Sequence, residues 1–326
     1  MRLVLQKMFL FVCIVMMAGL LACASSDSKD AATAPQSPSG GTLGGALFPA
    51  DNIWNTPVAA LPVAAQSAAY IAAIGADAEL HPDFGAGAWD GGPIGIPYTV
   101  VPGTQPKVAI HFTEYGAESD PGPYPIPANA PVEWGSDHHV LAVDADNDKL
   151  YELYHAARQA DGSWSAGAGA VFDLRSNALR PAGWTSADEG GLPILAGLVR
   201  YDEVASGEIR HALRFTVPQS YRGYVWPARH LGSTMDAACP PMGQRFRLRA
   251  GFDLAGFPSD VQVILRALQK YGLIAADDGG AWYLSGAPDE RWNNDTLHEL
   301  SRVRGADFEA VDVSGLMVSP DSGQVR

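Results

Sequence analysis

Two histidines, His138 and His139, stand at the head of an apolar run, Val140–Val143, and a second apolar run starting at Leu150 ends on Tyr154-His155. Between the runs lies Asp144-Ala145-Asp146-Asn147-Asp148, the composition of a tight turn joining two antiparallel strands. With Asp146 and Asn147 at the tip, Val143 faces Leu150, Leu141 faces Glu152 and His138 faces His155; a slip of one residue brings His139 beside His155 instead. Two cross-strand imidazoles next to a carboxylate can work as acid and base. They can also begin a metal site, for which His230 or His211 would be the third ligand. No cofactor is required by the pattern, and a divalent metal is the one it leaves room for. The plain alternative is a set of hydrogen-bonded sheet residues.

A second group of ionisable residues follows: Asp173, Arg175, Arg180, Asp188, Glu189, Arg200, Asp202 and Glu203. Carboxylates interleaved with arginines are the raw material of glycoside chemistry, where one carboxylic acid protonates the leaving oxygen and a carboxylate attacks or activates water. They are equally the material of an ordinary polar surface. The catalytic candidates are therefore Glu152, Asp173, His138, His139, His155 and His230, with Trp226, Arg175 and Arg229 as candidates for holding substrate. Tryptophan is abundant in segments that read as loops (Trp54, Trp89, Trp134, Trp164, Trp184, Trp226), and indoles beside Asp, Asn and Arg suit the faces and hydroxyls of sugar rings.

Other chemistries lack their motifs. Asp144, Asp146 and Asp148 alternate as in a calcium loop, but Lys149 stands where that loop needs glycine and His155 where it needs glutamate. There is no Gly-x-Ser-x-Gly elbow, phosphate-cradling glycine loop, His-Glu-x-x-His or Cys-x-x-Cys.

The elements that must position these residues are short. Glycine (35) and proline (24) cut the chain into brief apolar runs, the pattern of a mainly β domain, a β-sandwich or jelly roll. Strands are predicted at 98–101, 107–112, 139–143, 150–155, 170–174, 209–217, 224–226 and 246–249. One N-terminal helix is predicted over 62–75, stopped by Gly75, and two C-terminal ones: from Ser259 or Asp260 to Gly272, and from near Asn294 to Gly305. Residues 46–313 then form one β-rich domain, and 314–326 is expected to fray.

A formal net charge of -14 disfavours nucleic acid, whose phosphates need a basic surface, and anionic lipid alike. The chain opens with Arg2 and Lys7 and runs apolar from Met8 to Ala22, too short for a comfortable membrane span but right for an export signal over 1–22. Residues 23–45, rich in Ser, Ala, Gly and Pro, read as a flexible tether. Cys13 leaves with the signal, so no intramolecular disulfide is available to Cys239 once Cys23 is modified.

Leu20-Leu21-Ala22-Cys23 resembles the lipobox of bacterial lipoproteins. That resemblance implies a lipid on Cys23, anchoring to the cell envelope, and, with Ala at position 24, sorting to the outer membrane, so the membrane is a partner through the anchor alone. The runs at 169–187, 197–204 and 285–295 resemble stretches of a group of secreted bacterial proteins, which implies secretion and carries no reaction with it. The expectation is a surface-anchored protein acting on extracellular polysaccharide, as a glycoside hydrolase or lyase. A non-catalytic module that binds glycan or protein is the alternative, and a metal-dependent hydrolase of another ester or amide is a third.

Overall fold

The computed structural model describes Leu43 and residues 45–326, all within one compact unit; the predicted signal, Cys23 and nearly all of the tether lie outside the described residues. Ten strands form the two larger sheets: β1 (His81–Asp83), β2 (Tyr98–Val101), β3 (Val140–Asp144), β4 (Lys149–Tyr154), β5 (Ala168–Asp173), β6 (Leu213–Val217), β7 (Arg245–Leu248), β8 (Leu273–Asp278), β9 (Tyr283–Ser285) and β10 (Phe308–Val311). Four helices accompany them: α1 (Ser67–Ile74), α2 (Tyr201–Ser206), α3 (Ser259–Lys270) and α4 (Asn294–His298). The domain is β-rich, as its punctuated apolar runs predict.

The smaller of these sheets has the order β5-β4-β3-β2, with β2 parallel to β3 and the other pairs antiparallel. Its centre is the predicted hairpin, and Val143 pairs with Leu150 and Leu141 with Glu152, the register expected from a tip at Asp146-Asn147. Asp144 fixes that tip, its carboxylate accepting from the Asn147 backbone and side chain. Because strand side chains alternate, His139, Leu141 and Val143 share a face with Leu150, Glu152 and Tyr154. Opposite them, Val140, Ala142, Tyr151 and Leu153 pack toward Trp164 and Ala166 of a small three-stranded sheet.

The larger sheet has the order β1-β9-β6-β8-β7-β10 and is mixed. Leu213, Phe215, Leu273 and Ala275 face a core closed by α1, α3 and α4, where α3 contributes Val261, Ile264, Leu265 and Leu268 at helical spacing. Between β6 and β8 the register jumps: Phe215 pairs with Ala275, but Thr216 pairs with Asp277. Ala276 is thus the extra residue of a bulge, and it turns Asp277 onto the face of Arg214 and Thr216, away from the helix-covered core.

Residues 185–199 run between the sheets and bind both. On one side Gly190 N–H donates to the freed Ala276 carbonyl at 2.9 Å, and Val199 N–H to Ser285. Towards the other, Ile194 and Leu195 donate their N–H groups to Glu152 at 3.0 and 2.9 Å.

Several expectations are corrected. The N-terminal helix begins only at Ser67, since Val63 is bridged to Val311 and Ala64 N–H donates to Ala310, which sews this stretch to β10. The last helix ends at His298 and continues as a 3-10 turn over Glu299–Arg302; Gly305 lies beyond it, where a Cβ would meet the Gly75 carbonyl at 2.2 Å. Residues 314–326 do not fray: Ser322 is bridged to Ala178 and Gln324 to Asn52. α2 and the strands β1, β8, β9 and β10 lie outside the predicted elements. Among the described residues no helix is long and apolar enough to cross a membrane.

Candidate functional site

An open cleft of about 280 Å³ lies where the 185–189 loop, the end of β8 and the base of the hairpin meet. Asp188 and Glu189 enter it from the loop, Asp277 and Asp278 from β8, and Asp137 and Tyr154 from the hairpin. Tyr115, Thr185, Ser186 and His230 complete most of its wall.

Behind two of its carboxylates lies a buried arginine. Arg214 grips Asp188 with two hydrogen bonds, Nε to Oδ2 at 2.8 Å and Nη2 to Oδ1 at 2.7 Å, while Nη2 also reaches Asp277 Oδ2 at 2.9 Å. Its Nη1 donates to Ser285 Oγ at 2.5 Å. The guanidinium is thereby committed, and this bonding raises its already high pKa despite burial. Asp277, one-fifth exposed, is nonetheless pushed well above the usual carboxylate range by burial and by the charge of Asp188.

Glu189, in the same cleft, is a second carboxyl displaced upward. Burial first, then the charge of Asp278, push it up to about 7, against a hydrogen bond from the Asp278 backbone. It is therefore substantially protonated at neutral pH, the state a general acid needs. Beside it, Asp278 accepts from Ser233 Oγ through Oδ2, while Oδ1 is buried without a hydrogen-bond partner in the protein.

His230 is oriented by the same loop. Its Nδ1 lies 3.0 Å from the Glu189 carbonyl, which can only accept, so Nδ1 carries a proton and Nε2 is turned toward Glu118, 3.7 Å away. Glu118 Oε2 in turn accepts the Thr185 N–H at 3.0 Å, and the Arg180 guanidinium ties the Thr185 and Glu118 carbonyls together.

Behind the wall, His139 holds two loops in register. Its Nδ1 is 2.5 Å from Glu133 Oε2 and its Nε2 is 2.9 Å from the Ala187 carbonyl. Both partners are acceptors, so both ring nitrogens donate and the ring is an imidazolium. Burial would favour the neutral ring, but the charge and hydrogen bond of Glu133 outweigh it and push the pKa up to about 9.

Comparison of the chain with protein-family models, curated proteins and solved structures finds no match. The site is therefore read from its own geometry.

Of the sequence candidates, His230 lines the cleft. Glu152 does not: it is fully buried, both oxygens are taken by the Ile194 and Leu195 amides, and burial pushes it up to about 7. It positions the loop from behind. His139 is likewise a clamp, buried at 2 % exposure. His138 and His155 pair across the hairpin with ring centroids 6.2 Å apart, but they are exposed and adjoin the cleft residues Asp137 and Tyr154 without lining the cleft; His155 is held by Glu114.

The remaining candidates serve elsewhere. Asp173 pairs with Lys149 at 2.8 Å on the surface, and that bond holds its carboxyl below the usual range. Arg175 is exposed, opposite Asp148. Arg229 is buried and spends its donors on the Arg180 and Pro320 carbonyls and on Asp321, while Trp226 donates to the Ser322 carbonyl. His211, offered as a third metal ligand, is buried against Glu203 and the Ala212 carbonyl. Among the described residues no three His, Cys, Asp or Glu side chains converge as a metal site.

Asp188 and Glu189 belong to the acid-and-arginine group noted in the sequence, but Asp277 and Asp278 do not. The available signal for them was the apolar run Leu273–Ala276 after Gly272, which reads as a buried strand that would carry the next two residues to its end.

Proposed function

We propose that this protein is a glycoside hydrolase of the cell envelope, acting on a neutral glycan, with Glu189 as general acid and Asp278 as the opposing carboxylate. The observation that carries the reading is a carboxyl held protonated to about pH 7 in an open cleft whose wall also carries the carboxylate of Asp278. Glu189 donates its proton to the glycosidic oxygen as the C–O bond breaks, and Asp278 attacks the sugar carbon or activates the water that does. His230 Nε2 is placed to accept a substrate hydroxyl.

The acidic lining favours hydrolysis over elimination. A lyase acting on a uronate has to neutralise the substrate's carboxylate, whereas here Asp137, Asp188, Glu189, Asp277 and Asp278 line the cleft and the one guanidinium behind them is already paired with Asp188 and Asp277. Lipid attachment at Cys23 with display from the outer membrane belongs to the same reading, supported by the apolar run and lipobox pattern before that residue. So does a sandwich arrangement of the two larger sheets, supported by the 185–199 segment bonded to both.

Incubation with neutral polysaccharides, followed by assay of new reducing ends, tests the proposal. Glu189→Gln and Asp278→Asn are each expected to lower kcat by about 10²- to 10⁴-fold. No reducing ends from any neutral glycan, or release undiminished in Glu189→Gln, would overturn it.

A further inference from the structure

Two of the largest apolar side chains in the protein face solvent on one small hairpin. Trp89 is 77 % exposed and Trp134 is 54 % exposed. Ala88–Trp89 and Gly92–Pro93 form the hairpin, Trp89 paired with Gly92, and the Trp134 ring lies on the glycines of its turn. A Cβ at Gly92 would fall 2.1 Å from Trp134 Cγ, so only glycine leaves space for the indole. Trp134 Nε1 donates to the Asp90 carbonyl at 3.1 Å, which fixes the ring's in-plane orientation. An indole seated this firmly while half exposed is a surface held ready for something flat and apolar.

The seat is coupled to the cleft. Trp134 follows Glu133, whose carboxylate binds His139, and His139 binds Ala187, next to Asp188 and Glu189. Trp134 also precedes the cleft residue Asp137 by three peptide steps, a Cα separation of at most about 11 Å. The surroundings are polar: Asp90, Ser136 and Asp137 flank the two indoles in sequence. An apolar protein patch or a lipid surface would desolvate Asp90 without giving it a donor. A sugar chain offers C–H faces to the indoles and hydroxyls to the carboxylates, and the net charge of -14 selects against acidic chains.

We propose that Trp89 and Trp134 form a stacking subsite for rings of a neutral glycan, continuing the cleft along the surface. The subsite rests on the glycan reading of the cleft, and its test separates the two. Native affinity electrophoresis of the full chain, carried as Glu189→Gln so that polymer is not consumed, would run through gels containing galactomannan, mixed-linkage β-glucan or alginate. Retardation is expected in at least one neutral gel and not in alginate, with the apparent Kd about tenfold weaker in Trp89→Ala and recovered in Trp89→Phe. Trp89 is exposed enough that this truncation leaves the fold intact, and a thermal melt checks it. Retardation unchanged in Trp89→Ala, retardation in no neutral gel, or Trp89-dependent binding to phosphatidylcholine vesicles in place of glycan would each overturn the subsite. Absence of reducing ends with native Glu189 alongside tryptophan-dependent retardation would overturn the hydrolase and leave the subsite standing.

Discussion

At the residue scale, under the proposed hydrolase reading, the proton on Glu189 sets when the cleft can act. Its carboxyl is pushed up to about 7, so above that pH the acid form declines tenfold per pH unit. The expected profile of log kcat/KM has an alkaline limb of slope -1 beginning near pH 7, measured on whichever neutral glycan is cleaved. A flat profile from pH 6 to 9 would remove Glu189 from the acid role. Glu152, also pushed up to about 7, is a different case because it meets no solvent. Its folded pKa exceeds its ordinary value of 4.5, so from pH 4.5 to about 7 the folded chain keeps a proton that the unfolded chain has lost. Its contribution to stability therefore falls across that window and is level above it. Glu152→Gln is expected to flatten this part of the stability curve by urea titration. It should also cost about 1–3 kcal/mol, since its single carbonyl serves only one of the two amides well.

At the element scale, the bulge and the imidazolium clamp align the cleft. Were Ala276 deleted, Asp277 would continue the alternation of Leu273 and Ala275 into the helix-covered core, and Gly190 would lose its carbonyl partner. That deletion is expected to abolish catalysis and lower stability more than deletion in an exposed loop, by thermal melt and kcat on the same preparation. The clamp has the same pH sense as Glu152, in a higher window. The His139 pKa, 6.5 unfolded and about 9 folded, means that its contribution is fully present below 6.5 and is lost as pH rises through 9. His139→Ala is expected to cost about 3–5 kcal/mol below pH 6.5, because Glu133 is left largely buried and unpaired, and progressively less as the pH rises from 6.5 through 9. This scale also shows what the sequence could reveal. Asp146-Asn147 fixed the hairpin register by turn chemistry, and with it the shared face of His139 and Glu152. The register jump at Ala276 leaves no such mark, because Leu273–Ala276 is apolar on both faces and its alternation is hidden. The partners of Glu152 are amides some forty residues downstream, and no local pattern encodes that distance.

At the scale of the whole molecule, the last residues close the structure over the back of the site. The Pro320 carbonyl and Asp321 engage buried Arg229, and Ser322 accepts from Trp226. Gly323 N–H donates to Asn177 and its carbonyl accepts from Ile53, while Val325 N–H donates to Asp51. Arg229 in turn donates its backbone N–H to Gly190 and accepts from Gly183, holding the loop that carries Glu189 against the chain that carries His230. Removing 319–326 leaves a buried guanidinium without its carboxylate and one of its two carbonyls, and the Trp226 indole without its acceptor. Asp321 is three-quarters exposed, so its ion pair adds little, but the buried guanidinium and the Trp226 indole each lose a carbonyl acceptor, at about 1–3 kcal/mol apiece. For a chain of this length each kcal/mol moves Tm by roughly 2–4 °C, so a fall of about 10 °C is expected on truncation after Val318. Glycan hydrolysis should fall with it even at temperatures where the truncated chain is folded, because Glu189 and His230 lose their common support. Arg229→Met in the full chain separates the two effects: it removes the buried charge and keeps the tail's other bonds, so Tm should recover part of the loss while kcat stays low. A truncated chain with native Tm would show that this strap carries no load and that the loop is held by the β8 bulge alone.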